Sequence, residues 1–162
     1  MLVLTACLAC SLALAQMASY TDADAGFSIA YPEHWEVYPY EEEGAIEFAE
    51  DDAYFYVSVF AADLLEVTSL EEAAALLLEE LEDEFDDVQV RSRDATLLAG
   101  LPALAVEYEW YDGFLEALIR AVVIVSYDAG RIVVVDMEAP SADWERYAPI
   151  FGTMVTSFVL LP

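Results

Sequence analysis

Residues 104–138, LAVEYEWYDGFLEALIRAVVIVSYDAGRIVVVDME, hold three apolar, β-branched runs separated by two short turn sequences. A two-residue loop at Asp112-Gly113 would pair Tyr111 with Phe114 and align the apolar residues of the first two runs on one face. The predicted pairs on that face are Leu104 with Ala121, Val106 with Ile119, Tyr108 with Ala117 and Trp110 with Leu115.

The second turn sequence extends this sheet to a third strand. A three-residue loop over 128–130, with Gly130 in the left-handed conformation, would place Val125, Val123 and Ala121 beside Val133, Val135 and Met137. Both turns then put apolar residues on the same face, which predicts an antiparallel meander from about Leu104 to Glu138. Residues 132–135 are apolar on both faces, so we expect at least part of the sheet to be covered on both sides.

The flanking segments supply the other elements. Residues 45–60 predict a hairpin that turns at 50–52. The capping box Ser69-Leu70-Glu71-Glu72 begins an amphipathic helix that runs to about Phe85. Strands, helix, strands and helix in this order predict an α+β fold with a mostly antiparallel sheet.

The C-terminal segment predicts a short helix and a last strand. Ser141 can cap a helix that carries Trp144 and Tyr147. Pro149 either ends that helix or begins a second one, before the apolar residues 158–160.

The first fifteen residues have the features of a signal peptide, predicted over residues 1–15. Residues 2–15 form an uncharged apolar run, too short to span a bilayer as a helix. Two processing sites compete: cleavage after Ala15, which we prefer, and a lipobox that would leave Cys7 lipidated. Export is expected in either case, to the periplasm, the envelope or the extracellular space, with membrane attachment only through Cys7.

The rest of the chain, residues 19–162, reads as a single domain without linker or repeat. Both cysteines, Cys7 and Cys10, lie in the leader, which argues against disulfides, thiolate metal sites and cysteine nucleophiles in the mature protein. The chain has 32 Asp and Glu against five Arg and no Lys, a formal net charge of −27. This charge excludes a nucleic-acid binder that relies on phosphate contacts, and it resembles the acidic surfaces of salt-adapted proteins.

Three motifs resemble the PsbP-like family. GFSIAYPEHWEV at 26–37 is similar to its opening strand and Tyr-Pro-x-x-Trp turn, LAGLPA at 98–103 to its Gly-x-Pro-Ala turn, and WERYAPIFGTMVTSF at 144–158 to its closing helix. The resemblance implies an α-β-α sandwich around an antiparallel sheet. It also implies a group of exported bacterial proteins and lipoproteins, extrinsic photosystem subunits and Ran-binding import factors, most of them without known catalysis.

Residues suited to catalysis are sparse. His34, the single histidine, lies in the Tyr-Pro-x-x-Trp turn, and no Gly-x-Ser-x-Gly nucleophile motif or Gly-rich phosphate loop occurs. We therefore predict no catalytic residue and no cofactor.

Two acidic features are candidates for binding. Seven carboxylates crowd the end of the long helix, either as a solvated face or as a weak site for divalent cations or a basic partner: Glu79, Glu80, Glu82, Asp83, Glu84, Asp86 and Asp87. The hairpin register also sets Glu109 opposite Glu116, with Glu107 and Arg120 nearby and Arg120 opposite Glu138. The face that carries Glu109 and Glu116 is either an exposed strand face or a metal or ligand site.

These observations predict an exported, non-enzymatic binding or accessory module with a protein partner in the envelope. A carrier of a small ligand or divalent cation is the first alternative. A hydrolase that uses carboxylates alone is the second, and two converging carboxylates in a cleft would favour it.

Overall fold

The computed structural model of the chain describes residues 16–40, 44–85 and 87–161. The predicted signal peptide, its cleavage after Ala15 and lipidation at Cys7 lie outside the described residues. Among the described residues, no helix is both long and apolar enough to cross a membrane.

The described residues form ten strands and two α-helices, with a 3₁₀ turn at Ala62–Leu65. The strands are β1 Met17–Asp22, β2 Phe27–Pro32, β3 Glu36–Tyr40, β4 Ala45–Glu50, β5 Ala53–Ala61, β6 Gln89–Leu98, β7 Leu101–Asp112, β8 Ala117–Asp128, β9 Arg131–Pro140 and β10 Val159–Leu160. The helices are α1 Leu70–Glu84 and α2 Trp144–Ser157.

The strands of the described chain form two antiparallel sheets. The larger has the order β3-β4-β5-β9-β8-β7-β6, and the smaller has the order β1-β2-β10. Helix α1 packs on β7 and β8 of the large sheet, whereas α2 and the small sheet cover its other face. The predicted α+β class and α-β-α arrangement are confirmed.

Helix α1 begins where the capping box predicts. The backbone N–H of Glu72 donates to Ser69 Oγ at 3.2 Å, and the Glu72 carboxylate accepts from the Thr68 N–H at 2.7 Å. The hydrogen bonds that the Glu72 carboxylate accepts from the N–H and the hydroxyl of Thr68 lower the pKa of Glu72. Ala73, Ala74 and Leu81 are buried against the sheet, so the helix covers the sheet face that its apolar stripe requires.

Helix α2 differs from its prediction, because it is one continuous helix with Pro149 inside it. Its N-cap is Asp143, not Ser141. Proline removes one helical N–H bond and frees the carbonyl four residues earlier, that of Glu145. Glu145 and Pro149 are both exposed, so this carbonyl lies on the solvent side of the helix. The four buried side chains of α2 form one stripe across Pro149 and pack in the core: Trp144, Tyr147, Phe151 and Met154.

The β7–β8 hairpin has a longer loop than predicted, and the predicted pairs are wrong by four residues. Leu104 lies opposite Val125, and Asp112 lies opposite Ala117. The Asp112 carboxylate accepts from the N–H groups of Phe114 at 2.7 Å and Leu115 at 2.9 Å, which closes a four-residue loop. A shift of four keeps each side chain on its predicted face.

The β8–β9 hairpin has a two-residue loop where three residues were predicted, so the predicted register of β9 is wrong by one residue. Ala129 and Gly130 both have positive φ, 46° and 93°, as a two-residue type I′ loop requires. Val125 therefore faces Val134, and Ala121 faces Glu138. A shift of one exchanges the faces of β9, so its predicted face is wrong.

Candidate functional site

The predicted Glu109 and Glu116 pair does not form. Glu109 lies opposite Arg120 in the β7–β8 ladder and is bound by Arg91, whose Nε lies 2.9 Å from Glu109 Oε2. Glu116 is exposed in the loop with φ 52°. The four-residue loop thus separates the two carboxylates whose face the sequence left open between an exposed strand face and a metal or ligand site.

The Glu109 face of the sheet is a ladder of ion pairs. Arg120 bonds Glu107 at 2.9 Å, and its guanidinium lies 4.9 Å from the ring centroid of Trp144. Arg120 lies opposite Ala139 instead of Glu138. These contacts connect the sheet to α2, so this face has a structural role.

The remaining sequence candidates lie apart from one another. His34 is half exposed in its turn, with Nε2 2.8 Å from Glu50 Oε1. The described side chains of the α1 acidic cluster are exposed: Glu79, Glu80, Glu82, Asp83 and Asp87. The side chains of Glu84 and Asp86 lie outside the described part. No three His, Cys, Asp or Glu side chains within the described ranges are placed to hold a metal ion.

Two carboxylates of β9 converge on a buried tyrosine. The hydroxyl of Tyr108 on β7 lies 3.1 Å from Asp136 Oδ2 and 3.0 Å from Glu138 Oε1. Tyr108 reaches them across β8, where its partner Ala121 is small and fully buried. Burial, together with these two carboxylates, raises the pKa of Tyr108 far above its usual value, so the hydroxyl remains protonated.

These groups lie in a cleft of about 490 Å³ between α1 and the large sheet. Its aromatic lining is Tyr54, Tyr56, Phe85, Tyr108 and Trp110. Its carboxylate lining is Glu47, Glu80, Asp112, Asp136 and Glu138. We refer to this cavity as the acidic cleft.

The walls of the acidic cleft come from β5 on one side and from β7 with the end of α1 on the other. On one side, β5 places Tyr54 opposite Glu138 and Tyr56 opposite Asp136. On the other, Phe85 at the end of α1 stacks on Trp110 with ring centroids 4.4 Å apart. This stack holds the helix end beside the sheet, and α1 leaves the β5 side open.

A second cavity, about 590 Å³, continues from the acidic cleft along α1. The two share Tyr56, Leu77, Glu80 and Val134. Beyond the shared residues, the second cavity is lined by three apolar side chains and three polar ones: Phe60, Leu65, Leu76, Ser58, Glu79 and Asp83. We refer to the part lined by Phe60, Leu65 and Leu76 as the apolar extension, and it forms one groove with the acidic cleft.

Sequence reasoning missed Asp136 and Glu138 because of the β8–β9 loop. With the three-residue loop, both carboxylates would lie on the opposite face, beside Arg120. The signal that could have found them is Asp128 with Arg131: a two-residue loop makes them a cross-strand pair, and their side chains bond at 2.6 Å.

The fold is similar to that of several solved proteins. Cyanobacterial PsbP (CyanoP) from Synechocystis sp. superimposes with a TM-score of 0.68 at 18% identity, covering 97% of this chain and 98% of that one. The Ran-binding protein Mog1p from Saccharomyces cerevisiae has a TM-score of 0.62 at 11% identity, with 90% and 96% covered. LpqN, involved in cell envelope biogenesis of Mycobacterium tuberculosis, has a TM-score of 0.56 at 13% identity, with 91% of each chain covered. The predicted PsbP-like fold is thereby confirmed.

A family model places the sequence more closely. The model for the serine/threonine kinase C-terminal domain matches residues 19–160, so the chain belongs to that family. No curated protein matches the chain.

Proposed function

We propose that this protein is an exported, non-enzymatic binding module, and that the acidic cleft is its binding site. The observation that carries the proposal is the cleft itself, a cavity of about 490 Å³ walled by aromatic rings with carboxylates directed into it. Binding sites commonly combine such walls with a few convergent polar groups.

A protein partner is the ligand we propose. Among the fold neighbours, Mog1p is described as Ran-binding, and LpqN as involved in cell envelope biogenesis. The family is described as the C-terminal domain of serine/threonine kinases. A domain attached to a kinase is well suited to the recognition of other proteins. These descriptions support an accessory module that binds protein.

Export is supported by the apolar leader over residues 1–15. We propose cleavage after Ala15, with lipidation of Cys7 as the competing outcome. Mass spectrometry of the mature N-terminus distinguishes them, because lipidation adds acyl mass to a chain that starts at Cys7. An unprocessed N-terminus would contradict export through this leader.

The binding proposal is tested by capture of envelope proteins with paired variants. Tyr56 lines both the acidic cleft and its apolar extension, whereas Tyr111 is 57% exposed and lines neither. We expect Tyr56→Ala to lose the captured protein and Tyr111→Ala to retain it. Equal capture by wild type and both variants would contradict binding at the cleft.

A carboxylate-dependent hydrolase is the second candidate, and the convergence of Asp136 and Glu138 favours it. Since their oxygens lie 3.1 Å and 3.0 Å from one hydroxyl, they are at most about 6 Å apart, a bound that includes the spacing of about 5–5.5 Å in retaining glycosidases. Turnover of glycoside substrates that both Asp136→Asn and Glu138→Gln abolish would establish this activity. No turnover by the wild type would leave the binding role.

A further inference from the structure

The acidic cleft brings five carboxyl side chains to one cavity. No arginine is among the described residues that line it. Four of the five arginines bond carboxylates elsewhere: Arg91 with Glu109, Arg120 with Glu107, Arg131 with Asp128, and Arg146 with Glu50 and Asp51. A cationic ligand would therefore meet no positive side chain in the cleft.

Tyr108 brings two carboxyl groups together at the base of the cleft. A hydroxyl has one proton and can donate it to one acceptor at a time. Asp136 and Glu138 both lie within hydrogen-bond distance of that hydroxyl, so two acidic side chains share one donor there. A positive group between these carboxylates and the solvent would relieve their repulsion.

Carboxylates around the cleft also act on Tyr54, in the opposite wall. Tyr54 is partly buried on β5. Burial raises its pKa, and the nearby charges of Asp52, Glu47, Asp112 and Glu138 raise it further. Carboxylates on four different strands and loops thus act on one point of the wall.

The aromatic lining selects a particular kind of cation. Guanidinium and ammonium groups bind over the faces of tyrosine and tryptophan, and more strongly where water is excluded. Tyr54, Tyr56 and Trp110 line the same cavity as Asp136 and Glu138. An organic cation can contact rings and carboxylates together, whereas a hydrated metal ion gains little from the rings.

The apolar extension indicates that this cation belongs to a polypeptide. Leu65 and Leu76 are 49% and 39% exposed, and both line the cavity that continues from the cleft. A free small cation would leave that surface in contact with water. A chain with apolar residues beside its basic residue would cover it.

We propose that the acidic cleft binds an arginine or lysine side chain of a protein partner, with neighbouring apolar residues of the partner along the extension. This inference rests on the proposed function, because it assumes that the cleft is the binding site. The partner is a basic, partly apolar segment, complementary in charge to the cleft.

The test uses synthetic peptides with one central arginine flanked by leucines, and matched peptides with citrulline, which has nearly the same shape without the charge. Binding to the whole protein is followed by NMR shifts and calorimetry at physiological salt. We expect the arginine peptide to bind at least about tenfold more tightly than the citrulline peptide, with shifts at Tyr54, Tyr56 and Trp110. Equal affinity, or no binding at millimolar peptide, would overturn the inference.

Paired variants separate a site from general attraction to an acidic protein. We expect the double variant Asp136→Asn with Glu138→Gln to lose the preference for arginine. Glu71→Gln with Glu82→Gln removes the same charge from exposed positions on α1 that do not line the cleft, and we expect it to retain that preference. If both double variants lose the preference for arginine equally, the peptide is attracted by the overall charge of the protein and not by the cleft, which would overturn the inference. If the first double variant does not fold, Tyr54→Ala replaces it.

Small cationic ligands test whether the cleft requires a polypeptide. Arginine ethyl ester or calcium chloride that binds as tightly as the arginine peptide would indicate a small-ligand carrier and overturn the inference. The capture experiment distinguishes the two levels. If capture depends on the cleft but the peptides show no preference for arginine, only this inference is rejected. If capture does not depend on the cleft and the peptides also show no preference for arginine, the proposed function is rejected as well.

Discussion

At the scale of single residues, Tyr108 organises the acidic cleft. It is fully buried, yet its hydroxyl reaches two carboxylates on a strand that it does not pair with. Ala121 on the intervening strand has too small a side chain to block that path. The position of the carboxylates thus depends on one large residue and one small residue in the same row of the sheet.

Replacing Tyr108 with phenylalanine should destabilise the protein. The variant keeps the ring but removes the hydrogen bond that the buried hydroxyl donates to Asp136 or Glu138, and a hydrogen bond to a charged group contributes about 1.5–3 kcal/mol. Urea unfolding at neutral pH measures the change. Tyr111→Phe is the control, because an exposed tyrosine should change stability by less than about 0.5 kcal/mol. An unchanged unfolding midpoint in Tyr108→Phe would contradict the role given to this hydroxyl.

The same residue predicts a pH dependence at alkaline pH. The folded-state pKa of Tyr108 lies well above its unfolded value of about 10. Its contribution to stability is therefore complete below about pH 10 and is lost above it, because only the unfolded chain releases the proton. The stability difference between wild type and Tyr108→Phe should shrink by about 1.4 kcal/mol per pH unit above that point. If the stabilities of wild type and Tyr108→Phe instead change in parallel up to pH 11, about one unit above the unfolded-state pKa, Tyr108 titrates in the folded protein as an ordinary tyrosine does.

At the scale of elements, α1 combines a favourable start with an unfavourable end. Ser69, Glu71 and Glu72 suit the positive end of the helix dipole. Glu82 and Asp83 lie at the negative end, and no basic residue occurs in the last turn. The acidic end also forms one side of the acidic cleft through Glu80, so the helix places carboxylates beside the proposed site at a small cost in its own stability.

Charge reversal at the two ends of α1 should have opposite effects. Glu82→Lys should stabilise the protein by about 0.3–1 kcal/mol at low salt, because a cation suits the helix C-terminus. Glu71→Lys should destabilise it by a similar amount. Thermal unfolding at low and high KCl measures both variants, and the difference between them should diminish as salt screens the dipole. Equal stabilisation by both would indicate that net charge, and not helix position, determines the effect.

At the scale of the whole molecule, the net charge of −27 opposes compaction. None of the Asp and Glu side chains in the described part of the chain is fully buried, so salt can screen them. Screening shortens from about 10 Å at 0.1 M to about 3 Å at 1 M salt. We therefore expect this surface to be favoured in salty or cation-rich surroundings.

Added KCl should raise the melting temperature. We expect a continuous increase between low and molar KCl, since repulsion between surface carboxylates weakens as the screening length shortens. Scanning calorimetry at constant pH measures it, with sucrose at matched water activity as the control for solvent exclusion. A melting temperature that is flat or falls with KCl would contradict a salt-adapted surface.

The fold was predictable because its signals are local. The Ser69 capping box begins α1 as predicted, and turn residues at 50–52 and 128–130 separate strands that do pair. The candidate site was not predictable to the same degree. Glu109 and Glu116 were paired by an assumed two-residue loop, and Asp136 and Glu138 were placed on the wrong face by an assumed three-residue loop.

The amino-acid sequence by itself determined the order of the strands and helices, the apolar faces of α1 and β7, and the acidic surface, because these depend on periodicity, capping and composition. Only the tertiary structure decided which carboxylates meet. Both hairpin loops depend on contacts that periodicity does not encode: the Asp112 side chain closes one loop, and the Asp128 and Arg131 pair spans the other. Because side chains alternate along a strand, one residue in the second loop moved Asp136 and Glu138 onto the face of α1 and formed the acidic cleft.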